Sequence, residues 1–170
     1  MDNQIVPFLI KGPSFLEGFP DMAEVESFRQ EIFDADALSL FEYWISKCSE
    51  EAIPTKNEID PVDLPKLLNR IYIEEWDAEW QQSRLKLAGD FHHQIYGGNV
   101  HGLVVDDHVT SETNKLWKQC DQYNFIQLCP TYCGYHLEHV DKGHIKLADL
   151  TLPMRDKDEA VCAIGIVSYL

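Results

Sequence analysis

The chain contains no run of about 18 apolar residues, so no segment of the sequence is expected to span a bilayer as a helix. Its opening, MDNQIVPFLIKGPSF, has neither a basic n-region nor a long apolar stretch, and a secretory leader is not expected. Basic residues are scarce, with 14 Lys+Arg against 29 Asp+Glu and a formal net charge of −15. A field of that sign repels phosphate backbones and anionic lipid surfaces, so neither nucleic acid nor a membrane is expected as a partner. The five cysteines, Cys48, Cys120, Cys129, Cys133 and Cys162, are an odd and widely spaced set, unlike a secreted disulfide scaffold. They are expected as mostly buried, reduced thiols of a cytoplasmic protein. No Gly-x-Ser-x-Gly elbow, phosphate-binding loop or Gly-x-Gly-x-x-Gly after a strand occurs, and nothing in the sequence demands catalysis.

What is present suits one α+β domain: 170 residues, 45% of them hydrophobic, suffice for an ordinary core. Residues 1–20 hold Pro7, Pro13 and Pro20 with little periodicity and read as an irregular arm. Asp21 with Glu24 three positions on opens a helix whose apolar stripe is Met22, Val25, Phe28 and Ile32. A second helix begins near Asp36, with Leu38, Phe41, Ile45 and Cys48 on one stripe. Pro54, Pro61 and Pro65 then break the chain into short turns, Asp60 before Pro61 resembling an N-cap with an early helical proline.

Ile71 to Asp77 and Ser83 to Gly89 read as a hairpin. Paired histidines and Gly97-Gly98 follow, a turn that admits positive φ between short helices. Thr110 or Ser111 can cap a helix carrying Thr113, Leu116, Trp117, Cys120 and Tyr123 or Asn124 on one face. Pro130 and Gly134 mark the third strand as an edge. The parity of apolar residues switches between Ile145/Leu147 and Leu150/Leu152/Met154, which predicts a bulge near Ala148-Asp149. The last strand, AVCAIGIVSYL, is apolar on both parities and belongs in the centre of the sheet.

Several short motifs come in a fixed order. Tyr43-Trp44 precede Pro54-Thr55-Lys56 and Ile59-Asp60-Pro61; Leu64-Pro65 and Leu67-Leu68 follow; then come Arg84-Leu85-Lys86-Leu87-Ala88-Gly89-Asp90, Tyr96-Gly97 and Gly102. In this the chain, from about residue 38 to 170, resembles a family of small stand-alone PAS-like domains. It departs from the family at Gly98, where a basic residue is usual, and at His101, where a threonine is usual. The resemblance implies a five-stranded antiparallel sheet of order 2-1-5-4-3, with helices on one face around a pocket. It divides the chain into an N-terminal arm and helix, residues 1–35, and a PAS-like domain, residues 36–170. It also implies a sensory or regulatory role without catalysis.

Pocket candidates on the helical side are Phe91, Ile95, Tyr96, Leu103, Leu116 and Trp117, with His92, His101 and Tyr132 as polar contacts. The stripe of Val25, Phe28, Ile32 and Phe41 is expected to be left uncovered and to make a twofold homodimer; a protein signalling partner is the other route outward.

No cofactor is required by the sequence, and the identity of any small-molecule ligand is not written in it. His92, His93 or His101 as a haem ligand, and Cys120 beside a flavin, lack a surrounding motif. Cys129, Cys133, His136 and His139 have zinc-preferring chemistry and support a rival reading as a metal or redox enzyme. In an extended strand, however, His136 faces away from the other three. The acidic pairs Glu74-Glu75 and Asp106-Asp107 read as solvated. A third reading is a pure interaction module whose pocket is filled by its own side chains, Phe91, Tyr96 and Trp117.

Overall fold

A computed structural model describes residues 7–50, 52–104, 111–137 and 142–170. The chain runs through a short strand β1 (Phe8–Lys11), helices α1 (Met22–Glu31) and α2 (Ala35–Lys47), and two single 3-10 turns. A hairpin of β2 (Ile71–Asp77) and β3 (Gln82–Ala88) leads to α3 (Asp90–Tyr96) and α4 (Ser111–Asp121). Strands β4 (Thr131–Leu137), β5 (Lys142–Arg155) and β6 (Val161–Tyr169) complete the fold. All strand pairs are antiparallel, in the order β1-β4-β5-β6-β2-β3.

The expected five strands and their order are therefore present, with β6 at the centre, but a sixth strand lies beside them. β1 pairs Phe8 with Gly134 through to Lys11 with Thr131, so β4 is not an edge of the sheet. Pro130 does not interrupt this ladder because it stands just ahead of β4, where its carbonyl accepts from the Gly12 amide at 2.8 Å. Gly134 has a steric reason to be glycine, since a Cβ there would meet the Phe8 ring at 2.3 Å.

Helices cover both faces of the sheet, not one. On the outer face, Leu150, Leu152, Met154, Ile164 and Ile166 pack against Phe28, Leu40, Phe41 and Trp44 of α1 and α2. On the inner face, Leu147, Val167, Tyr135 and Cys133 pack against Phe91 and Ile95 of α3 and Leu116 and Cys120 of α4. The parity switch in β5 follows directly. The β5–β6 ladder is unbroken from Leu147/Tyr169 to Arg155/Val161, so there is no bulge at Ala148-Asp149; each parity serves its own core. The register shifts found are instead between Ile73 and Glu74, where β2 meets β3, and between His136 and Leu137 on β4.

The N-terminal helices are built as their caps dictate. Asp21 accepts from the Ala23 amide at 2.9 Å, and α2 is capped by Asp34, not Asp36, through the Ala37 amide at 2.8 Å. Ala37, Leu40, Phe41 and Trp44 form the buried stripe of α2, and Leu38, Ile45 and Cys48 are half-buried. Met22 is exposed.

Val25, Phe28, Ile32 and Phe41 are all buried inside the chain, so they do not form the open dimer face expected from the sequence. Each such side chain contributes roughly 1.5–3 kcal/mol by leaving water, and the sheet's outer face already collects that gain.

The Tyr-Trp and Asp-Pro motifs have a shared purpose. Trp44 donates its indole N–H to the Pro153 carbonyl at 2.9 Å, fixing α2 on the sheet. Tyr43 donates to Asp63 at 2.8 Å and accepts from the Asp60 amide at 3.0 Å, tying down the turn that Asp60 caps through Val62. Asp63 thus serves Tyr43, while the Pro61–Asp63 turn takes a 3-10 form capped by Asp60.

Candidate ligand pocket

Strand alternation on β2 sends Tyr72, Glu74 and Trp76 to the inner face and Ile71 and Ile73 to the outer. The hairpin brings β3 alongside, and Gly97, with φ of 76°, ends α3 in the left-handed conformation that glycine accepts most easily. On the far side, α4 widens into a π-helical turn, Gln122–Ile126, which turns the buried Asn124 inward. Asn124 is held by donating to the Cys129 carbonyl at 2.8 Å and to Thr131 Oγ1 at 3.0 Å.

Between these elements lies a cavity of about 60 Å³. On general grounds, at about 10–15 Å³ per water, that is room for about four to six waters or a slim organic group of similar size. Tyr72, Tyr96, Trp117 and Tyr135 contribute aromatic wall, and Leu85, Leu103 and Val167 aliphatic wall. Trp117 stands edge-on to Tyr135 with centroids 5.2 Å apart, and Tyr72 edge-on to His92 at 5.4 Å.

The polar lining is acidic. Glu74, Asp121 and Asp149 all face the cavity, and among the described residues no lysine or arginine does. Tyr72 lies across β6 at Gly165, where a Cβ would meet its ring at 2.1 Å, and so reaches β5. There its hydroxyl donates to Asp149 Oδ1 at 2.7 Å and sits 2.8 Å from Thr151 Oγ1. Burial pushes the Asp149 carboxyl up to about 7, against which the Tyr72 hydrogen bond pulls only partly. Burial, then Asp121 and Asp149, hold Glu74 well above the usual carboxylate range. Asp121 accepts from Ser83 at 3.1 Å.

The remaining titratable groups are kept neutral. His92 donates Nε2–H to the Arg70 carbonyl at 2.8 Å, and desolvation lowers its basicity. Desolvation raises both Tyr96 and Tyr135, whose hydroxyls are hydrogen-bonded to each other. The Cys133 thiol is raised by its hydrogen bond to the Cys120 sulfur and by burial.

The structure brings together four of the expected pocket residues, His92, Tyr96, Leu103 and Trp117, at the cavity wall. Phe91, Ile95 and Leu116 belong to the core immediately behind it. Two expectations fail. Tyr132 has the opposite parity to Cys133 and packs on the outer face, its ring 5.2 Å from Phe33. His101 is exposed, with Nδ1–H donating to the Lys86 carbonyl at 3.2 Å, and stacks obliquely on His93.

Sequence reasoning missed Glu74 and Asp149. Glu74 and Glu75 are not a solvated pair: Glu75 turns outward toward Lys56 and Lys86, and Glu74 turns inward. Its shared parity with Tyr72 and Trp76 is the signal that could have found it. Asp106-Asp107 lie outside the described residues.

Among the described residues the Cys/His set does not converge. Cys133 faces the inner core beside Cys120, His136 has the opposite parity on the same strand, and Cys129 precedes the strand; His139 lies outside the described residues, as does Thr110. With Nε2 of His92 given to Arg70, an axial role for that histidine has no free donor on that side. All five cysteines are free thiols, four of them buried.

The sheet order, the inner pocket and the motif sequence all agree with one family, and the profile of the PAS domain matches residues 33–168. The chain belongs to the PAS domain family. No curated protein matches it. The PAS match begins just before α2; α1 lies outside it yet buries Val25 and Phe28 in the same core. A PAS domain is a sensory or regulatory module, and no helix among the described residues is long and apolar enough to cross a membrane.

Proposed function

We propose that this protein is a non-catalytic PAS sensor that takes a small molecule into the inner-face cavity and reports occupancy to the helices on the opposite face. The observation that carries this reading is the cavity itself: an aromatic-walled interior space with carboxyls that the protein leaves facing it. A core selected only for stability would fill that space with apolar side chains.

A physical connection runs from the cavity to the other side of the sheet. His92, in the wall, is bonded to the Arg70 carbonyl, and the Arg70 guanidinium binds Asp34 at 3.2 Å and Asp36 at 2.6 Å at the start of α2. The same guanidinium holds the Val167 carbonyl of β6 at 2.9 Å and the Ser168 hydroxyl. A ligand that moves His92 therefore acts on the joint between sheet and α2, and a difference in affinity between two settings of that joint is what signalling requires. A protein partner or a second copy reads the change. A homodimer would use a surface other than Val25, Phe28, Ile32 and Phe41, and a monomeric mass in sedimentation would remove it.

The test is a native mass spectrum of freshly purified protein compared with its denatured mass. A non-covalent excess released on unfolding supports the sensor. Bare chain mass in every charge state favours the interaction module with a self-filled interior, a reading that the small cavity volume supports.

A further inference from the structure

The chemistry of the cavity is one-sided. The Glu74 carboxyl has no hydrogen-bond or ion-pair partner among the described residues, although Glu74 is largely withdrawn from solvent and lines the cavity. A buried carboxyl without a partner costs several kcal/mol if charged, so a fold that keeps one facing a cavity leaves a place for a donor. Asp149 faces the same space from β5, two strands away with β6 between, and has one protein partner, Tyr72. The walls between them include the rings of Tyr72, Tyr96, Trp117 and Tyr135, and aromatic faces attract organic ammonium groups while doing little for strongly hydrated metal ions.

We propose that the cavity recognises a small organic cation, a primary ammonium on a slim aliphatic chain, through the carboxyls of Glu74 and Asp149 and the surrounding aromatic walls. The proposal rests on the cavity being a ligand site and names what enters it. Below about pH 7 Asp149 holds a proton in the empty cavity, and Glu74 is shifted in the same direction; an incoming ammonium favours the ionised form, so a proton leaves and a carboxylate–ammonium contact remains. Asp121 on α4 adds negative character and is occupied in part by Ser83. The other titratable groups facing the pair are Tyr72, Tyr96, Tyr135, Cys120 and Cys133, and His92, whose basicity is lowered. None of these supplies a resident positive charge near neutrality. An anionic ligand would meet three carboxyls and, among the described lining residues, no lysine or arginine, and a neutral one would release no proton.

The experiment titrates the full chain with n-propylammonium and with 1,4-diaminobutane, using n-propanol as the neutral counterpart. It is followed by amide chemical shifts and by calorimetry in two buffers of different ionisation enthalpy. The expected result is amine binding with proton release, affinity rising between about pH 6 and pH 8, and n-propanol at least tenfold weaker. Glu74→Gln weakens amine binding at least tenfold without lowering the unfolding midpoint; Asp149→Asn provides the same test from the other strand if the first variant does not fold. Equal binding of n-propanol, unchanged amine affinity in the folded variants, or no shift with either amine overturns the proposal. If the amines do nothing while the native spectrum carries a releasable mass, the cation is wrong and the sensor reading stands. Bare mass together with silent amines brings down both.

Discussion

Asp149→Asn should stabilise this protein, by an amount that grows as pH rises from about 4 to about 7. Burial raises the Asp149 carboxyl from an ordinary 3.8 to about 7. The native state therefore holds a proton that the unfolded chain has released throughout that window, and stability falls as pH rises through it. The penalty is absent below about pH 4 and complete above about pH 7, where the displacement is worth on the order of 4 kcal/mol at about 1.4 kcal/mol per pH unit. Asparagine occupies the same space, keeps an oxygen for the Tyr72 hydroxyl and carries no charge to desolvate.

Urea unfolding of both proteins at about pH 4.5 and pH 8.5 checks this: the variant gains about 4 kcal/mol at the higher pH and about 1 kcal/mol at the lower. His92 works with the opposite sign, since its lowered basicity makes stability rise with pH up to 6.5. It is present in both proteins and cancels in the comparison. Asp34, lowered by the Ala37 amide, Ser168 and Arg70 against the opposing effect of burial, loses its contribution only in acid below that range and cancels likewise. A variant no more stable than the parent at pH 8.5, with parallel profiles, would refute the reasoning.

Other consequences follow from packing. Arg70→Gln removes the charged joint between α2 and β6 and should cost about 2–4 kcal/mol in chemical denaturation, with faster amide exchange at the start of α2. Gly165→Ala places a Cβ within 2.1 Å of the Tyr72 ring and should cost about 1–3 kcal/mol. A Tyr72→Ala background should abolish most of that cost in a double-mutant cycle. Removing residues 1–12 strips β1 from β4 and uncovers a hydrophobic strand edge, which should appear as concentration-dependent association in light scattering.

The positions of strands β2 to β6 along the chain, the hairpin and the turns around the prolines were legible because each is specified locally, by alternation, by turn residues or by caps, whereas the order of the strands in the sheet came from the resemblance to the PAS-like family. β1 was not: Phe8-Leu9-Ile10 stands between Pro7 and Gly12-Pro13 and is a strand only because β4 offers an edge and Gly134 leaves space for the Phe8 ring. The bulge inferred in β5 shows the same limit. A switch of apolar parity means a bulge when one face is buried, but two covered faces need none, and the second layer is supplied by α1 and α2 from distant sequence. Tyr132 was misplaced because its neighbours Cys133 and Tyr135 carry the inner parity. Glu74 and Asp149 were overlooked because single acids in strands ordinarily face water; their burial depends on α3 and α4 closing over the inner face.

The central claim is that the inner cavity is a ligand site. Native mass spectra of the parent and of Val167→Phe, which drives a ring from β6 into the cavity, test it most directly. The account predicts a releasable mass on the parent and bare chain for the folded variant. The same mass on both, or none on either, would contradict it.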